Sequence, residues 1–451
     1  MSSAPLAVPA SPSSSKRSRS RDSSRSAATS VNTPAASTPF LTPSASAPSL
    51  IIPQPKSQAP SIVEPSPLDA TPYPAFLRLT RSGSVERQSK FVDLEWEQRR
   101  RLLSGNQQIE PDQTSQWARC GGEVVTNRNR YANVDPYCNN RVKLKVPEGH
   151  NDYINASPIV LEATQSKTVT KFIATQGPKG DSFSHIWRMI WHETKSPAVV
   201  VMLTQTHESG REKCHPYYPQ SPSSPTLALN QSDEFEDGFA HIVTLKDLTV
   251  HEEASAQIRE LEMSDEDGSE TRTIWHFLFG GWPDFLVPEG YNRTALLNLI
   301  KLSREKNANN AENPRIVHCS AGVGRSGTFI ALDWLLQELE EGTLDNLEDD
   351  EDPIVAIVDM LRQQRMMMVQ GEAQFSFLYD VMRERWRDRW AKLHPEEAEK
   401  LGLGAIHEPK PKKPRPSKES EVSETDEDED MRAQLEAELV DNQADFDKGK
   451  T

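Results

Sequence analysis

The chain has 451 residues, of which only 35% are hydrophobic and 7% aromatic, with 33 prolines; this predicts one substantial core and long stretches outside it. A net charge of −16 excludes nonspecific nucleic-acid binding by the molecule as a whole. Four scattered cysteines lack the close pairs of a zinc site, and neither a signal peptide nor an apolar run of spanning length is present. A soluble protein of a reducing, cytoplasmic compartment is expected, with free thiols and no membrane span.

Residues 1–87 form the first region, rich up to about residue 75 in Ser, Pro, Ala and Thr. Such a segment cannot bury enough apolar surface to offset the entropy of ordering, so disorder is predicted. Within it KRSRSR (Lys16 to Arg21) fits a nuclear import signal, a set of kinase sites or a solvated basic tract.

Over residues 88–395 helical periodicity alternates with short apolar runs, the mark of an α/β layer structure. SFSHIWRMIWHE places Phe183, Ile186, Trp187, Ile190 and Trp191 on one helical face, and Ala198 to Thr204 (AVVVMLT) is a buried strand. Ser221 to Gly238 and Glu340 to Asp352 read as solvated surface insertions. Asp352 before Pro353 caps a helix with Ile354, Ile357, Val358 and Leu361 inward; Phe375, Leu378, Tyr379, Met382 and Trp386 mark the last one. Residues 396–451 run from a basic proline-rich stretch into acid, with 4 Lys+Arg against 13 Asp+Glu from Ser417 onward, and are also predicted disordered. Ser423, with Asp426 three residues on, suits an acidophilic kinase.

The stretch HCSAGVGRSG, His318 to Gly327, admits two readings. Its glycines match a dinucleotide-binding turn, but that fold needs a second strand after the helix, and here Ser326 to Glu341 leads into acid-rich loop. A Walker-type loop is excluded by the missing Gly-Lys-Ser/Thr ending. The order strand (PRIVHC), small-residue loop, helix (SGTFIALDWLLQEL) instead suits a ring of backbone amides around a tetrahedral anion, with Cys319 as nucleophile and Arg325 as clamp.

Here the sequence resembles the protein tyrosine phosphatases, over about 300 residues. The motifs recur in the family's order: NRYANVDPY (Asn129 to Tyr137), DYINAS (Asp152 to Ser157), FIATQGP (Phe172 to Pro178), ESGREKC (Glu208 to Cys214), WPDFLVP (Trp282 to Pro288), HCSAGVGRSG and VQGEAQFSFLY (Val369 to Tyr379). The resemblance implies a highly twisted mixed β-sheet flanked by α-helices, a single catalytic domain of non-receptor type, and no metal or other cofactor. Cys319 is then the nucleophile, ionised through the helix N-terminus and amide ring. Ser320, Ala321, Gly322, Val323 and Gly324 cradle the phosphate, and Arg325 grips two of its oxygens as Lys could not. His318 orders the loop, and Ser326 assists breakdown of the phosphocysteine. Asp284, on a lid with Trp282 and the hinge candidates Gly280 and Gly281, is the general acid and then base.

Gln370 positions the hydrolytic water and Gln374 matches the family's second glutamine; Gly371 stands where the family usually has Thr, which predicts a looser loop. Tyr131 flanks the substrate ring and deepens the pocket, Asn133 bonds substrate backbone, and Glu208 and Lys213 tie Arg325 and Asp284 into place. Cys138 replaces the Asp usual after the loop. Two alternatives share part of this pattern. A dual-specificity or lipid phosphatase has the Cys–Arg loop but lacks NRYANV; a phosphotyrosine-binding scaffold, its tails the main interaction elements, would have lost the nucleophile, the arginine or the acid. Phosphotyrosine proteins are the implied partners, with mitogen-activated protein kinases the candidate class and a monomer, cytoplasmic and also nuclear, as the expected form.

Overall fold

The computed structural model describes residues 71–78, 83–106, 115–283 and 286–403. Asp284, the Lys16–Arg21 tract, the basic proline-rich stretch and Ser423 lie outside the described residues.

Ten strands are described: β1 Ala156–Glu162, β2 Val169–Thr175, β3 Ala198–Met202, β4 His207–Glu208, β5 Arg211–Glu212, β6 Thr226–Leu229, β7 His241–His251, β8 Ala256–Asp265, β9 Thr271–Phe279 and β10 Arg315–His318. The helices are α1 Gly83–Gly105, α2 Glu123–Arg128, α3 Phe183–Glu193, α4 Tyr291–Lys306, α5 Gly324–Glu341, α6 Pro353–Gln364, α7 Glu372–Leu393 and α8 Pro395–Lys400. An eight-stranded sheet runs β1-β2-β10-β3-β9-β8-β7-β6, and β4-β5 is a separate ribbon. Strands β2, β10, β3 and β9 are parallel, while β1 at one side and β8, β7 and β6 at the other pair antiparallel. The expected mixed, twisted sheet with flanking helices is what forms.

The parallel centre is covered on both faces, which is why AVVVMLT is apolar throughout. Val199, Val201 and Leu203 join the cluster containing residues of α4 to α7, and Ala198, Val200 and Met202 join the cluster containing α3. Helix α3 is buried beyond its apolar face, because His185 and Arg188 are covered as well. Part of that cover comes from Ser221 to Gly238, a mostly exposed insertion, as expected, that is nonetheless anchored by a short strand and two buried side chains. Thr226–Leu229 extends the sheet along β7, Leu229 and Phe235 are buried, and Asp237 takes both Arg188 Nη atoms at 2.6 and 2.8 Å. The Arg188 guanidinium lies over Phe235 and Phe239, 4.7 and 4.1 Å from the ring centres. The expectation for Glu340 to Asp352 fails only at its start: α5 continues to Glu341 and Leu344 is buried in a 3₁₀ turn, while residues 345–351 are exposed apart from the half-buried Leu347. Upstream, Tyr73, Phe76 and Leu77 enter the core, so packed structure begins before residue 88.

Two polar ties fix the helices that carry the site. Arg315 on β10 and Asp333 on α5, both essentially unexposed, form a two-point ion pair with each N···O at 2.9 Å, completed by Ser303. Asp352 accepts from Ile354 N (3.0 Å) and Val355 N (3.3 Å) as the cap of α6, and also from Lys90 of α1 and Tyr379 of α7. Replacing Asp352 with Ala should lower unfolding free energy by about 2 kcal/mol. Asp352→Asn, which still caps, should lose clearly less by urea denaturation; equal losses would show that the cap is unimportant.

Candidate active site

Between β10 and α5 the chain turns through Cys319 to Val323, and Arg325 follows in the first turn of α5. At Gly322 φ is +73°, and an added Cβ would lie 2.1 Å from the Thr175 carbonyl oxygen, so only glycine fits. The Gly322 N–H points back at Cys319 Sγ, 3.3 Å away. Amides turned inward send carbonyls outward, into protein rather than water. Arg365, fully buried just beyond α6, receives them: Nε donates to Gly322 O (2.9 Å) and Nη2 to Ala321 O (3.2 Å). Its remaining donors reach Asn155 Oδ1 (2.7 Å) and Ser157 Oγ (3.2 Å). Burial pulls the Arg365 guanidinium down to about 10, still cationic at neutral pH, and its charge favours the ionised forms of Tyr153 and Asp135 against a larger opposing effect of burial on each. Sequence reasoning missed this residue; its one signal is its position five residues before Gln370 in RMMMVQG.

Arg325, in the first turn of α5, is held by Glu208 of β4 through two bonds of 2.7 and 2.9 Å, with Leu203 O at 3.1 Å and Pro283 O at 3.4 Å. Burial pushes the Glu208 carboxyl up, but the Arg325 bonds and charge, with Gln205 N and Thr204, more than offset this and hold it below the usual range. The guanidinium is thereby fixed as a planar fork beside the loop. Ser326 is fully buried, and its hydroxyl makes no hydrogen bond within the protein among the described residues.

His318 lies behind the loop, unexposed. Its Nδ1 donates to Cys319 O (3.2 Å), which leaves Nε2 to accept from Tyr217 OH (2.7 Å). Burial drops its pKa to about 4, so the ring is neutral and orders the loop from the far side. Tyr217 and the Cys319 carbonyl occupy both ring nitrogens.

Three further segments converge on the loop. Tyr131 OH bonds Ser320 Oγ (2.8 Å), which donates to Lys213 O (2.9 Å), so the tyrosine ring stands as a wall beside the anion turn. Behind it, Asn129 links Asp135 (2.6 Å), Tyr153 (2.7 Å) and Asn155 (2.9 Å), and Arg119 binds Asp135. Gln176 of the FIATQGP stretch pins the same segment, accepting from Arg130 N and donating to Arg128 O, both at 2.8 Å. Asn133 is exposed at the tip of this segment. Lys213 contributes its carbonyl to Ser320.

Gln370 and Gln374 flank Gly324, where an added Cβ would meet Gln374 Oε1 at 2.9 Å and Gln370 Cβ at 3.4 Å. The expectation of a looser loop at Gly371 is not met in the preceding residues. Met367 and Val369 sit at φ +60° and +56°, and Arg362 bonds both Met368 O and Val369 O at 3.0 Å. Gly371 caps α7 without a side chain, while Gln370 N donates to Gln374 Oε1 at 3.1 Å. Trp282 is buried edge-on to Phe279, and its Nε1 donates to Leu286 O (3.0 Å), bridging the segment that contains Asp284. Neither Gly280 nor Gly281 is left-handed; Gly281 provides room, since a Cβ would be 2.7 Å from Asn292 Oδ1.

Among the described residues no three His, Cys, Asp or Glu side chains cluster to hold a metal ion, and no helix is long and apolar enough to cross a membrane.

Residues 125–384 match the family model described as protein-tyrosine phosphatase. The chain is 37% identical over 300 residues to "Tyrosine-protein phosphatase 2" of Schizosaccharomyces pombe, covering 65% of this chain and 38% of that one. It is 40% identical over 257 residues to "Phosphatidylinositol phosphatase PTPRQ" of Rattus norvegicus, covering 56% of this chain and 10% of that one. The chain thus spans well under half the length of either relative. The fold matches the solved structure "PTPN18 in complex with HER2-pY1196 phosphor-peptides" with a TM-score of 0.54 and 25% identity, covering 67% of this chain and 94% of that one. With more than half of its length matched by the family model, and with cysteine, arginine and amide turn assembled as described, the chain belongs to the protein-tyrosine phosphatase family.

Proposed function

We propose that this protein hydrolyses phosphotyrosine in proteins through a phosphocysteine intermediate. The observation that carries the reading is the Cys319–Arg325 turn, its carbonyls held by Arg365 and its arginine by Glu208. Cys319 sulfur attacks phosphorus while Arg325 and the loop amides hold the equatorial oxygens, whose charge is spread in the transition state. The P–O bond to tyrosine breaks, and Asp284 gives its proton to the departing phenolic oxygen. Water placed by Gln370 then attacks phosphorus, Asp284 takes its proton, and the P–S bond breaks. Ser326 donates a hydrogen bond to the thiolate that leaves, the role its unpaired buried hydroxyl supports.

The wall formed by Tyr131 favours a long aryl phosphate over a short alkyl one, which supports tyrosine rather than dual specificity. One relative bears the name of a phosphatidylinositol phosphatase, so phosphoinositides belong in the same assay. Phosphotyrosyl peptides should be turned over at least about tenfold faster in kcat/KM than phosphoinositides or phosphoseryl peptides, a 1.4 kcal/mol margin. The reverse order would overturn the tyrosine reading. Phosphorylated mitogen-activated kinases as substrates, a monomeric state, and a cytoplasmic protein that also enters the nucleus through Lys16–Arg21 complete the proposal.

Replacing Cys319 with Ser should lower turnover below about one part in a hundred while phosphopeptide binding stays measurable, because the cradle remains and an alcohol is not ionised there. Higher residual activity would place the attack elsewhere. Replacing Asp284 with Ala should slow phosphotyrosine far more than an activated aryl phosphate, whose phenol leaves without a proton. Equal losses for both leaving groups would remove Asp284 from the chemistry. Replacing Arg365 with Lys keeps the charge but not the fork across two carbonyls. It should weaken inhibition by vanadate, which mimics the transferring phosphoryl group, by about tenfold or more at unchanged secondary structure. An unchanged inhibition constant would show that the loop holds its shape without Arg365.

A further inference from the structure

We propose that Cys120 and Cys138 form a second oxidation site, separate from the nucleophile, at which a hydroperoxide closes a disulfide. That bond would tie the residues before α2 to the end of the Asn129–Tyr137 loop. Neither thiol takes part in the chemistry above, and Cys138 is one of the positions where the sequence leaves its family's pattern.

The pairing follows from the backbone. Arg119 and Tyr137 form an antiparallel bridge, and Cys138 N donates to Ala118 O at 2.8 Å. In that register Cys120 and Cys138 are diagonal neighbours on one face. Both strands of the bridge are anchored. Arg119 binds Asp135 and Ala132 O (3.2 Å), Trp117 lies edge-on to Tyr137 with ring centres 5.3 Å apart, and Tyr137 OH takes Gln98 Nε2 at 3.0 Å. The two cysteines therefore stay together while the chain between them loops out through α2 and the tyrosine wall.

A diagonal pair must close slightly to meet disulfide geometry. The chain can yield directly after Cys120, where Gly121 and Gly122 follow. Gly122 has φ +101°, and a Cβ at either would meet nothing within 4 Å. Access differs among the cysteines: Cys120 and Cys138 are half-buried, while Cys214 has no exposed surface. A small oxidant reaches the pair without entering the phosphate pocket.

Burial and the neighbouring Cys138 push the Cys120 thiol up to about 12, and whichever member of the pair ionises first is the attacking one. That thiolate attacks the terminal oxygen of the hydroperoxide. An S–O bond forms, the O–O bond breaks, and the alcohol leaves with a proton, or water when hydrogen peroxide is used. The second sulfur of the pair then attacks the sulfenic sulfur as its own proton is lost. The S–S bond forms, the S–O bond breaks and water leaves. Two thiols are oxidised and one peroxide reduced, with no other reactant.

The test uses the full chain carrying Cys319→Ser, which leaves three cysteines, treated with hydrogen peroxide or diamide and then alkylated. The expected result is loss of two alkylatable thiols, a linked peptide pair containing Cys120 and Cys138, and full reversal by dithiothreitol. The oxidised form should melt several degrees higher, since the cross-link restrains the unfolded chain. Cys120→Ser or Cys138→Ser, added singly, should abolish the link. The proposal is overturned if both thiols remain alkylatable under oxidant that consumes an exposed peptide thiol. Independent oxidation of each to sulfinic acid, or a link that joins Cys214 instead, would overturn it equally.

Discussion

A ring of inward amides has a cost on its outer side, and the site depends on how that cost is met. Every peptide group that turns its N–H toward a bound phosphate presents its carbonyl to the protein interior, where an unpaired acceptor is destabilising by about 1–3 kcal/mol. Arg365 resolves this with one guanidinium: two loop carbonyls, one asparagine and one serine share its donors, and among the described residues no carboxylate pairs with it. A buried cation without a contacting anion is costly in itself. The turn it shapes is the one whose Gly322 N–H faces the Cys319 sulfur.

Arg325 is handled in the opposite way. Glu208 neutralises it through a two-point bond and fixes its plane, so that an incoming phosphate meets a prepared fork rather than a flexible side chain. The two arginines thus divide the work of a phosphate site. One shapes the cradle from behind, and the other faces the substrate. Asn155 couples the cradle to the tyrosine wall, because it takes Arg365 on one atom and gives to Val134 O and Asn129 on the other. On the proposed reading, substrate length and phosphate geometry are set by one continuous polar network. The strand–turn–helix that carries it is clamped by Arg315 and Asp333.

Much of this was legible in the sequence. The glycine-spaced loop between a strand and a helix, the Asp352 cap and the inward faces of α6 and α7 all follow from local pattern, and the structure has them. What escaped did so for physical reasons. Arg365 sits at the end of an amphipathic helix among glutamines, where an arginine reads as solvated; only the fold encloses it. Ser221 to Gly238 is polar and proline-bearing, yet its acids answer buried basic groups on α3, a pairing invisible to a local window. Tyr73, Phe76 and Leu77 lie next to Ser/Pro-rich chain, whose composition masks three good core residues.

The central claim is that phosphate passes through the sulfur of Cys319. The direct measurement is peptide mass spectrometry after the protein is mixed with a phosphotyrosyl peptide and quenched in acid within the first turnover. The account predicts one phosphoryl group on the peptide containing Cys319, lost on continued incubation at neutral pH as inorganic phosphate is released. Turnover with no covalent phosphate, or phosphate on a histidine, serine or another cysteine, would contradict it.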